Sequence, residues 1–362
     1  MPATAGVAAC PQVDATGVAF ALPDPHQRLA GVGLVQEVAI PRAGPEFQRS
    51  ADGKDWTVRL DRPLVDRMEY QLELLHPDGR TELICDPGNP CRAPGPFGDK
   101  SVVEFPGYEP PAWLDVDPPS PAGHTADLTF HDPDLGEPMR VRLWSSPGAC
   151  TEDRLPLLLA HDGIEYAQYS GLLVMLDRLT SDGILPPMRA ALLHPVDRDE
   201  HYAASPTYAR VLSEQLVPFL HAQAPIAPGR HMRVGLGASL GGLAMLHAHR
   251  SYPSTFGGLF LQSASLFHHR YDRCAISLEH FTRIRRFLDR VHAERDWHSP
   301  IPIRMTCGRV EMNFANNRAA SLALRRQGYD LDFRPVRDAH NWIGWRDAWS
   351  PGLVRLLQTL WT

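Results

Sequence analysis

Ten consecutive residues decide the fold of this chain: Val234-Gly235-Leu236-Gly237-Ala238-Ser239-Leu240-Gly241-Gly242-Leu243. The stretch opens with an apolar run typical of a buried strand and continues into small and apolar residues with helical character. Between them stands Gly-x-Ser-x-Gly, the pattern of a sharp strand-to-helix turn on which a serine hydroxyl projects above a sheet. We expect Gly237 and Gly241 to be required because strand and helix approach too closely there for a Cβ atom.

Length and composition limit the classes of protein to consider. With 362 residues, 43% of them hydrophobic, the chain is long enough for two domains with sizeable cores. The formal net charge of -6 is mild and argues against a non-specific nucleic-acid binder, which would carry a basic excess. No apolar run could span a bilayer, and residues 1–7 lack the basic and apolar regions of a secretory signal. We therefore expect a cytoplasmic protein that binds neither nucleic acid nor membrane.

Cysteine and histidine spacing argues against a metal site. Only Cys85 and Cys91 lie close among six scattered cysteines, and a cytoplasmic chain more often keeps such a pair as thiols than as a disulfide. The chain has no Cys-x-x-Cys and no His-Glu-x-x-His motif. His247 and His249 form a His-x-His pair, but no carboxylate or cysteine spacing supports a metal there. The sequence predicts no metal and no cofactor.

The first third of the chain has the pattern of a small β-sandwich. Five short runs with strand character are separated by turns, with no useful helical periodicity between them: residues 18–22, 32–40, 56–60, 68–74 and 101–105. A stiff proline-rich connector follows at residues 106–121. We place the domain boundary inside it, which gives a β-sandwich module over residues 1–116 and a second domain over residues 117–362. A packing or lid role for the module is favoured over carbohydrate binding.

Strand and helix patterns alternate in the second domain. Strands are predicted at residues 125–130, 139–144, 155–160, 188–193, 232–236, 256–262, 301–306 and 331–336, the first two as an antiparallel pair. Helices are predicted at residues 169–179, 208–220, 281–291, 315–327 and 345–360, besides the one that follows the serine. This alternation implies an α/β fold with a mostly parallel sheet covered by helices on both faces.

Three residues that follow predicted strands have the chemistry of a catalytic triad. A serine hydroxyl is a poor nucleophile until an oriented base removes its proton. In α/β-hydrolases the nucleophile, the acid and the histidine follow one another along the chain in that order. This chain offers Ser239, Glu311 and His340 in that order, at the sheet edge where ligands bind in such folds.

Glu311 is the preferred acid because it lies just past a buried strand. Asp330 and Asp332 flank the start of the last strand, at the opposite edge of the sheet. Asp338 is too near His340 in sequence to orient it easily. The expected role of any rejected acid is a surface salt bridge.

Backbone N–H donors must stabilise the oxyanion of a tetrahedral intermediate. The first should be Leu240, directly after the proposed nucleophile. The second should come from the loop after the strand at 155–160, where Gly163 lets the backbone turn and Ile164 is the expected donor.

Several motifs together resemble those of the enterochelin esterases, ferric-siderophore hydrolases of the esterase D-like α/β-hydrolase group. The strongest is His340-Asn341-Trp342-Ile343-Gly344-Trp345-Arg346, similar to the family's His-Asp-x-x-x-Trp-Arg. The others lie at residues 86–90, 101–107, 162–163, 239–242, 252–253, 256–258, 262–265 and 311–318, so the resemblance covers most of the chain. It implies an early-set, immunoglobulin-like first domain and cytoplasmic hydrolysis of a catecholate trilactone, which releases iron.

Departures from the family pattern fall around the expected pocket. His161 stands where the family has leucine before Asp-Gly, and Asp338-Ala339 stand where it has Gly-Gly. A ferric catecholate is strongly anionic and should need cationic pocket walls. The candidates for substrate contact are His161, Arg198, Arg309, Arg337, Trp342 and Arg346.

The sequence therefore predicts a serine hydrolase, a carboxylic ester hydrolase, that acts through a Ser-His-Glu acyl-enzyme mechanism on a small ester or lactone. The favoured substrate is a siderophore-like trilactone of the enterobactin type, with or without its iron. The alternative is an acyltransferase, thioesterase or general carboxylesterase of the same fold, because acceptor choice depends on water exclusion in the cleft. A binding protein with a vestigial triad is disfavoured by the intact Ser239, Glu311 and His340. Oligomeric state stays open.

Overall fold

A computed structural model describes residues 10–39, 46–114, 122–268 and 279–362. The chain forms two compact units. The first comprises Met1–Glu109 together with the short segments Gly308–Met312 and Val336–Gly344, and the second comprises Pro110–Cys307, Asn313–Pro335 and Trp345–Thr362. The predicted domain boundary between residues 116 and 117 lies outside the described residues, so the division at that point stays a prediction.

The first unit contains two antiparallel sheets. Its strands are β1 (Gln12–Val13), β2 (Gly17–Pro23), β3 (Gly31–Gln36), β4 (Gln48–Arg49), β5 (Asp55–Asp61), β6 (Arg67–Leu75), β7 (Thr81–Ile84), β8 (Arg92–Ala93) and β9 (Lys100–Glu104). One sheet has the order β1-β2-β5-β4, and the other has the order β3-β6-β9-β8 with β7 paired to β6. The predicted strand at 32–40 ends early, at Gln36, and residue 40 lies outside the described residues. Strand β7 was not predicted because its residues are mostly exposed and show no apolar alternation.

Alternating side chains of the two sheets build the core of this unit. Val18, Phe20 and Leu22 of β2 and Met68, Tyr70 and Leu72 of β6 are buried in one cluster, as the two-residue period of a strand requires. Phe20 and Tyr70 meet edge to face with ring centroids 4.8 Å apart. The predicted β-sandwich is thus confirmed.

The second unit is built on an eight-stranded sheet. Its strands are β10 (His124–Phe130), β11 (Met139–Ser145), β12 (Leu157–Ala160), β13 (Arg189–Leu193), β14 (Arg233–Ala238), β15 (Gly258–Gln262), β16 (Ile303–Gly308) and β17 (Leu331–Val336). Their order is β10-β11-β13-β12-β14-β15-β16-β17, with β10, β11 and β13 antiparallel and the neighbours from β13 to β16 parallel. Strand β12 is fully buried, which matches its continuous apolar sequence.

Helices connect and cover these strands. They are α1 (Gly163–Ser170), α2 (Leu172–Ser181), α3 (Arg198–Tyr202), α4 (Pro206–Val211), α5 (Val217–Gln223), α6 (Leu240–Ser251), α7 (Phe281–Ala293), α8 (Phe314–Arg326), α9 (Trp342–Asp347) and α10 (Gly352–Trp361). A π-helical turn, Leu212–Leu216, joins α4 to α5 within the predicted helix 208–220. Within the described residues, no helix is long and apolar enough to cross a membrane.

Two predicted helices are wrong in extent. The one at 169–179 is divided between α1 and α2 because Gly171 has a φ of 68°, in the left-handed region that favours glycine. The closing helix at 345–360 is divided between α9 and α10, since Pro351 lacks the N–H that would continue α9.

Candidate active site

The turn from β14 to α6 has the geometry that the Gly-x-Ser-x-Gly pattern predicts. Ser239 adopts φ 53° and ψ −125°, a strained conformation for a residue with a side chain. Its backbone is fixed on both sides, because its N–H donates to the carbonyl of Gln262 and its carbonyl accepts from Ser265, each at 2.9 Å. A Cβ atom on Gly237 would lie 2.5 Å from the backbone of Gly241, which confirms that the turn requires glycine there.

The hydroxyl of Ser239 lies at the N-terminal end of α6. Its Oγ is 3.3 Å from Oγ of Ser265, within hydrogen-bond distance. The side chain is half-buried. The positive end of the helix dipole and the N–H groups of the first turn therefore lie at the same end of α6 as this hydroxyl.

Leu240 and Ile164, the two predicted oxyanion donors, each lie in the first turn of a helix. Leu240 is the first residue of α6, and Ile164 is the second residue of α1. An amide in the first turn of a helix has no carbonyl of that helix to bind. The tight turn before α1 is made by Asp162, with a φ of 50°, and by Gly163, where a Cβ atom would lie 2.5 Å from Cα of Leu192.

His161 is placed differently from its predicted role in substrate contact. It is fully buried, with Nδ1 2.9 Å from the carbonyl oxygen of Gly241 and Nε2 2.9 Å from the hydroxyl of Tyr208. Burial lowers its pKa to about 4, so the ring is neutral near pH 7. With both ring nitrogens engaged by protein atoms, His161 supports the start of α6 and presents no face to a ligand in this structure.

Arg198, another candidate for substrate contact, is held by a carboxylate of its own unit. Its Nε lies 3.0 Å from Oδ1 of Asp162 and its Nη2 lies 2.8 Å from Oδ2, a bidentate ion pair. Burial acts to lower the pKa of Arg198, but the charge of Asp162 raises it above its usual value. This pair fixes the turn that precedes α1.

The predicted acid and base meet within the first unit. Oε2 of Glu311 lies 2.8 Å from Nδ1 of His340, and Oε1 accepts the backbone N–H of Gly308 at 2.6 Å. The Glu311 side chain is 2% exposed and the His340 side chain 37%. The buried carboxylate is therefore fixed by a backbone amide, while the imidazole remains reachable from solvent.

The rival acids have other partners. Asp330 pairs with Arg304 at 2.9 Å, and Asp332 is exposed. One oxygen of Asp338, Oδ1, accepts from the backbone N–H of Ala339 at 2.7 Å and from Nδ2 of Asn341 at 2.9 Å.

Comparison with known proteins assigns the chain to a family. The Esterase family model matches residues 133–356, more than half of the chain. The chain belongs to this esterase family. The prediction of a carboxylic ester hydrolase is thereby confirmed.

Similar proteins cover nearly the whole fold. The iron(III) enterobactin esterase of Escherichia coli O6:H1 is 27% identical over 77% of this chain and 68% of its own length. That of strain K12 is 26% identical over 67% of this chain and 60% of its own length. The ferric enterobactin esterase structure from Salmonella typhimurium matches with a TM-score of 0.77 and 21% identity, covering 95% of this chain and 94% of that one. The predicted α/β-hydrolase fold with a preceding β-sandwich is confirmed.

The remaining residues predicted to contact the substrate differ in their surroundings. Arg309 is exposed, and its guanidinium has no ion-pair partner among the described residues. Trp342 begins α9 and is half-buried. Arg346 pairs with the adjacent Asp347 at 2.7 Å, and Arg337 pairs with Asp66 at 2.9 Å. Arg309 is therefore the predicted cation whose charge is least compensated.

Gln262 supports the turn of Ser239, a role in the site that the sequence analysis does not predict. Its Oε1 accepts from the hydroxyl of Tyr166 at 2.8 Å and from Nε1 of Trp349 at 3.1 Å, and its Nε2 donates to the carbonyl of Trp345 at 2.8 Å. It is fully buried, and its own carbonyl binds the backbone N–H of Ser239. The sequence feature that could have indicated this role is a lone polar residue at the end of an otherwise apolar strand.

Proposed function

We propose that this esterase hydrolyses the ester bonds of an enterobactin-type trilactone, with Ser239 as nucleophile, His340 as base and Glu311 as the acid that orients the base. The observation that carries the assignment is the hydrogen bond between Nδ1 of His340 and buried Glu311. It commits Nδ1 to the carboxylate and leaves Nε2 as the nitrogen that can accept a proton from a serine. Relatives with 26–27% identity bear the name iron(III) enterobactin esterase, which supports the substrate class.

The proposed reaction takes place in two halves. Nε2 of His340 removes the proton of Ser239 as its oxygen attacks a lactone carbonyl, and the resulting oxyanion accepts hydrogen bonds from the N–H groups of Leu240 and Ile164. The tetrahedral intermediate collapses with protonation of the leaving alkoxide by His340, which opens the ring and leaves an acyl-enzyme. Water, deprotonated by His340, then releases the acid and restores Ser239.

Electrostatics support an anionic substrate. A ferric tris-catecholate carries negative charge, and Arg309, which follows β16 directly, offers an exposed cation next to the segment that carries Glu311. The solved Shigella flexneri enterobactin esterase determined in the presence of enterobactin has a TM-score of 0.75 and 22% identity, covering 95% of this chain and 92% of that one. Iron enters this proposal as part of the substrate.

We further propose that the reaction takes place in the cytoplasm, where released iron is used. Cys85 and Cys91, the one close pair in the sequence, are free thiols, as is usual in a reducing compartment.

A substrate panel tests the proposal. Purified enzyme is given ferric enterobactin, iron-free enterobactin, a p-nitrophenyl ester and an acyl thioester, and products are separated by chromatography. We expect trilactone opening to exceed turnover of the simple esters in kcat/KM, and Ser239→Ala to abolish it. Thioester cleavage with no trilactone opening would instead assign a thioesterase. Transfer of the acyl group to an added alcohol in preference to water would assign an acyltransferase.

A further inference from the structure

The turn that carries His340 is held by side chains of the turn itself. Oδ1 of Asp338 accepts hydrogen bonds from the backbone N–H of Ala339 and from Nδ2 of Asn341, at 2.7 Å and 2.9 Å. Oδ1 of Asn341 in turn accepts from the backbone N–H of Gly344 at 2.7 Å. His340 lies between Asp338 and Asn341 in the chain, so this network fixes the backbone on both sides of the imidazole.

Asp338 is closely packed on two sides. It is 6% exposed. A Cβ atom added to Gly344 would lie 2.8 Å from Cγ of Asp338, and one added to Gly308 would lie 2.1 Å from its carbonyl oxygen. Gly308 also donates its N–H to Glu311, so the segments of the acid and of the base pack against each other at Asp338.

Charged side chains of alternating sign pair with one another in the β-sandwich, and the charge of Arg67 acts on Asp338. Arg67, on β6, is 4% exposed and pairs with Glu69 at 2.8 Å. Glu69 lies 3.8 Å from Nζ of Lys100, which also binds Glu37. Burial raises the pKa of Asp338 to about 7, while the positive charge of Arg67 acts in the opposite direction.

Backbone hydrogen bonds anchor the same two segments to the sandwich strands and their loops. The N–H of Asp66 donates to the carbonyl of Arg337 at 2.8 Å, and the N–H of Ala39 donates to the carbonyl of Val310 at 2.9 Å. Val310 and Ala339 are buried in the core cluster of the sandwich. The segment that carries Glu311 and the segment that carries His340 are therefore both held in place by residues of the β-sandwich.

We propose that Asp338 is the positioning residue of His340, which it holds through the hydrogen-bonded turn from Asp338 to Gly344. This inference rests on the proposed function, in which His340 is the base. Asp338 acts through the backbone turn, while Glu311 binds the imidazole itself. The β-sandwich module thus contributes to catalysis by fixing the acid and the base, whatever it contributes to substrate binding.

The test compares three variants by steady-state kinetics on one ester substrate. Asp338→Ala removes the acceptor of both turn hydrogen bonds, and Asp338→Asn keeps an oxygen in the same place. Asp332→Asn, an exposed aspartate on β17, is the matched control. We expect Asp338→Ala to lower kcat at least tenfold with KM within twofold, because small displacements of a catalytic group cost about 10²-fold in rate. Asp338→Asn should recover most of kcat, and Asp332→Asn should match the native enzyme.

A second readout does not depend on ester hydrolysis. The downfield proton NMR resonance of the Nδ1–H of His340, bound to Glu311, should be present in the native protein, lost or shifted in Asp338→Ala, and retained in Asp338→Asn. If this pattern appears in a protein that cleaves no ester, the proposed function fails and the positioning role stands. An active enzyme in which Asp338→Ala keeps both kcat and the resonance would overturn the positioning role, as would equal losses in Asp338→Ala and Asp338→Asn.

If Asp338→Ala does not fold, a further variant tests the same hydrogen-bond network. Asn341→Ala removes one of the same hydrogen bonds from its other end, while the hydrogen bond from the backbone N–H of Ala339 to Asp338 can still form. We expect a smaller fall in kcat with KM unchanged. A native kcat and an unshifted resonance in folded Asn341→Ala would contradict the inference.

Discussion

Oε2 of Glu311 lies 2.8 Å from Nδ1 of His340, and Oε1 of the same carboxylate is fixed 2.6 Å from the backbone nitrogen of Gly308. Each oxygen of the carboxylate is therefore held by a hydrogen bond. Because the backbone N–H of Gly308 can only donate, the oxygen facing it must accept, and this decides how a substituted side chain would be oriented.

Glu311→Gln should inactivate the enzyme while leaving it folded. The backbone N–H of Gly308 would select the amide oxygen of Gln, which turns the amide NH₂ toward His340. Nδ1 would then have to accept a hydrogen bond, so the ring proton would sit on Nε2. That is the nitrogen that must accept the proton of Ser239. We expect kcat to fall about 10³- to 10⁴-fold, the loss typical of a wrong histidine tautomer. Glu104→Gln, an exposed glutamate on β9, should have native kinetics; native kinetics in Glu311→Gln would refute the assignment of the acid.

The buried His161 should make stability dependent on pH. Its pKa is about 4 in the folded protein and about 6.5 when unfolded. Between these values only the unfolded chain binds the proton, so the free energy of unfolding should decrease as pH falls from about 6.5 toward 4. His247 and His249, with pKa values lowered by burial to about 4 and about 3, act in the same direction.

Urea denaturation of His161→Phe at several pH values measures this effect. The variant should be less stable than the native protein near pH 7 by roughly 1–3 kcal/mol, because the carbonyl of Gly241 and the hydroxyl of Tyr208 each lose their hydrogen bond to the ring. It should lose less stability between pH 6.5 and 4. His124→Phe, an exposed histidine on β10, is the control; an unchanged pH slope in His161→Phe would show that His161 is not buried as a neutral ring.

Arg309→Ala should weaken binding of the charged substrate only. An exposed ion pair is worth about 0.2–1 kcal/mol, so KM for ferric enterobactin should rise about 2- to 5-fold, and the difference should shrink in high salt. The kcat/KM for a neutral p-nitrophenyl ester should not change. Arg295→Ala, another exposed arginine, controls for net charge. Equal effects of the two substitutions would mean that Arg309 has no specific role.

Gly237→Ala should disrupt the turn of Ser239. The added Cβ would lie 2.5 Å from the backbone of Gly241, and backbone at that point cannot yield without moving α6. We expect a loss of about 1–3 kcal/mol in stability and a strong loss of labelling by a fluorophosphonate. Gly95→Ala, whose Cβ would make an ordinary 3.4 Å contact with the carbonyl of Gly98, should be tolerated. Full labelling of Gly237→Ala would contradict the close-approach argument.

The local parts of this site could be predicted from the sequence. Ser239 was found from a turn whose glycines are dictated by backbone clearance. Glu311 and His340 were found because a parallel sheet brings the carboxyl ends of its strands to one edge. Period-two and continuous apolar patterns located most strands because each strand buries one or both faces.

The parts that depend on tertiary contact could not be predicted. Nothing in the sequence around His161 shows that its two nitrogens meet Gly241 and Tyr208, 80 and 47 residues away. A surface salt bridge is the role that the sequence predicts for Asp338, yet Asp338 is buried and packs closely against Gly308, which lies in a different part of the chain. Nor does the sequence show that Arg198 pairs with Asp162. This ion pair compensates a positive charge that the sequence predicts to contact the substrate.

We propose above that Ser239 is the acylated nucleophile of an ester hydrolase. Intact-mass spectrometry after exposure to a fluorophosphonate, followed by peptide mapping, tests it most directly. We expect one adduct per chain, located on Ser239, absent in Ser239→Ala, and prevented by prior incubation with enterobactin. An unlabelled native protein, or an adduct that persists at equal yield in Ser239→Ala, would contradict it.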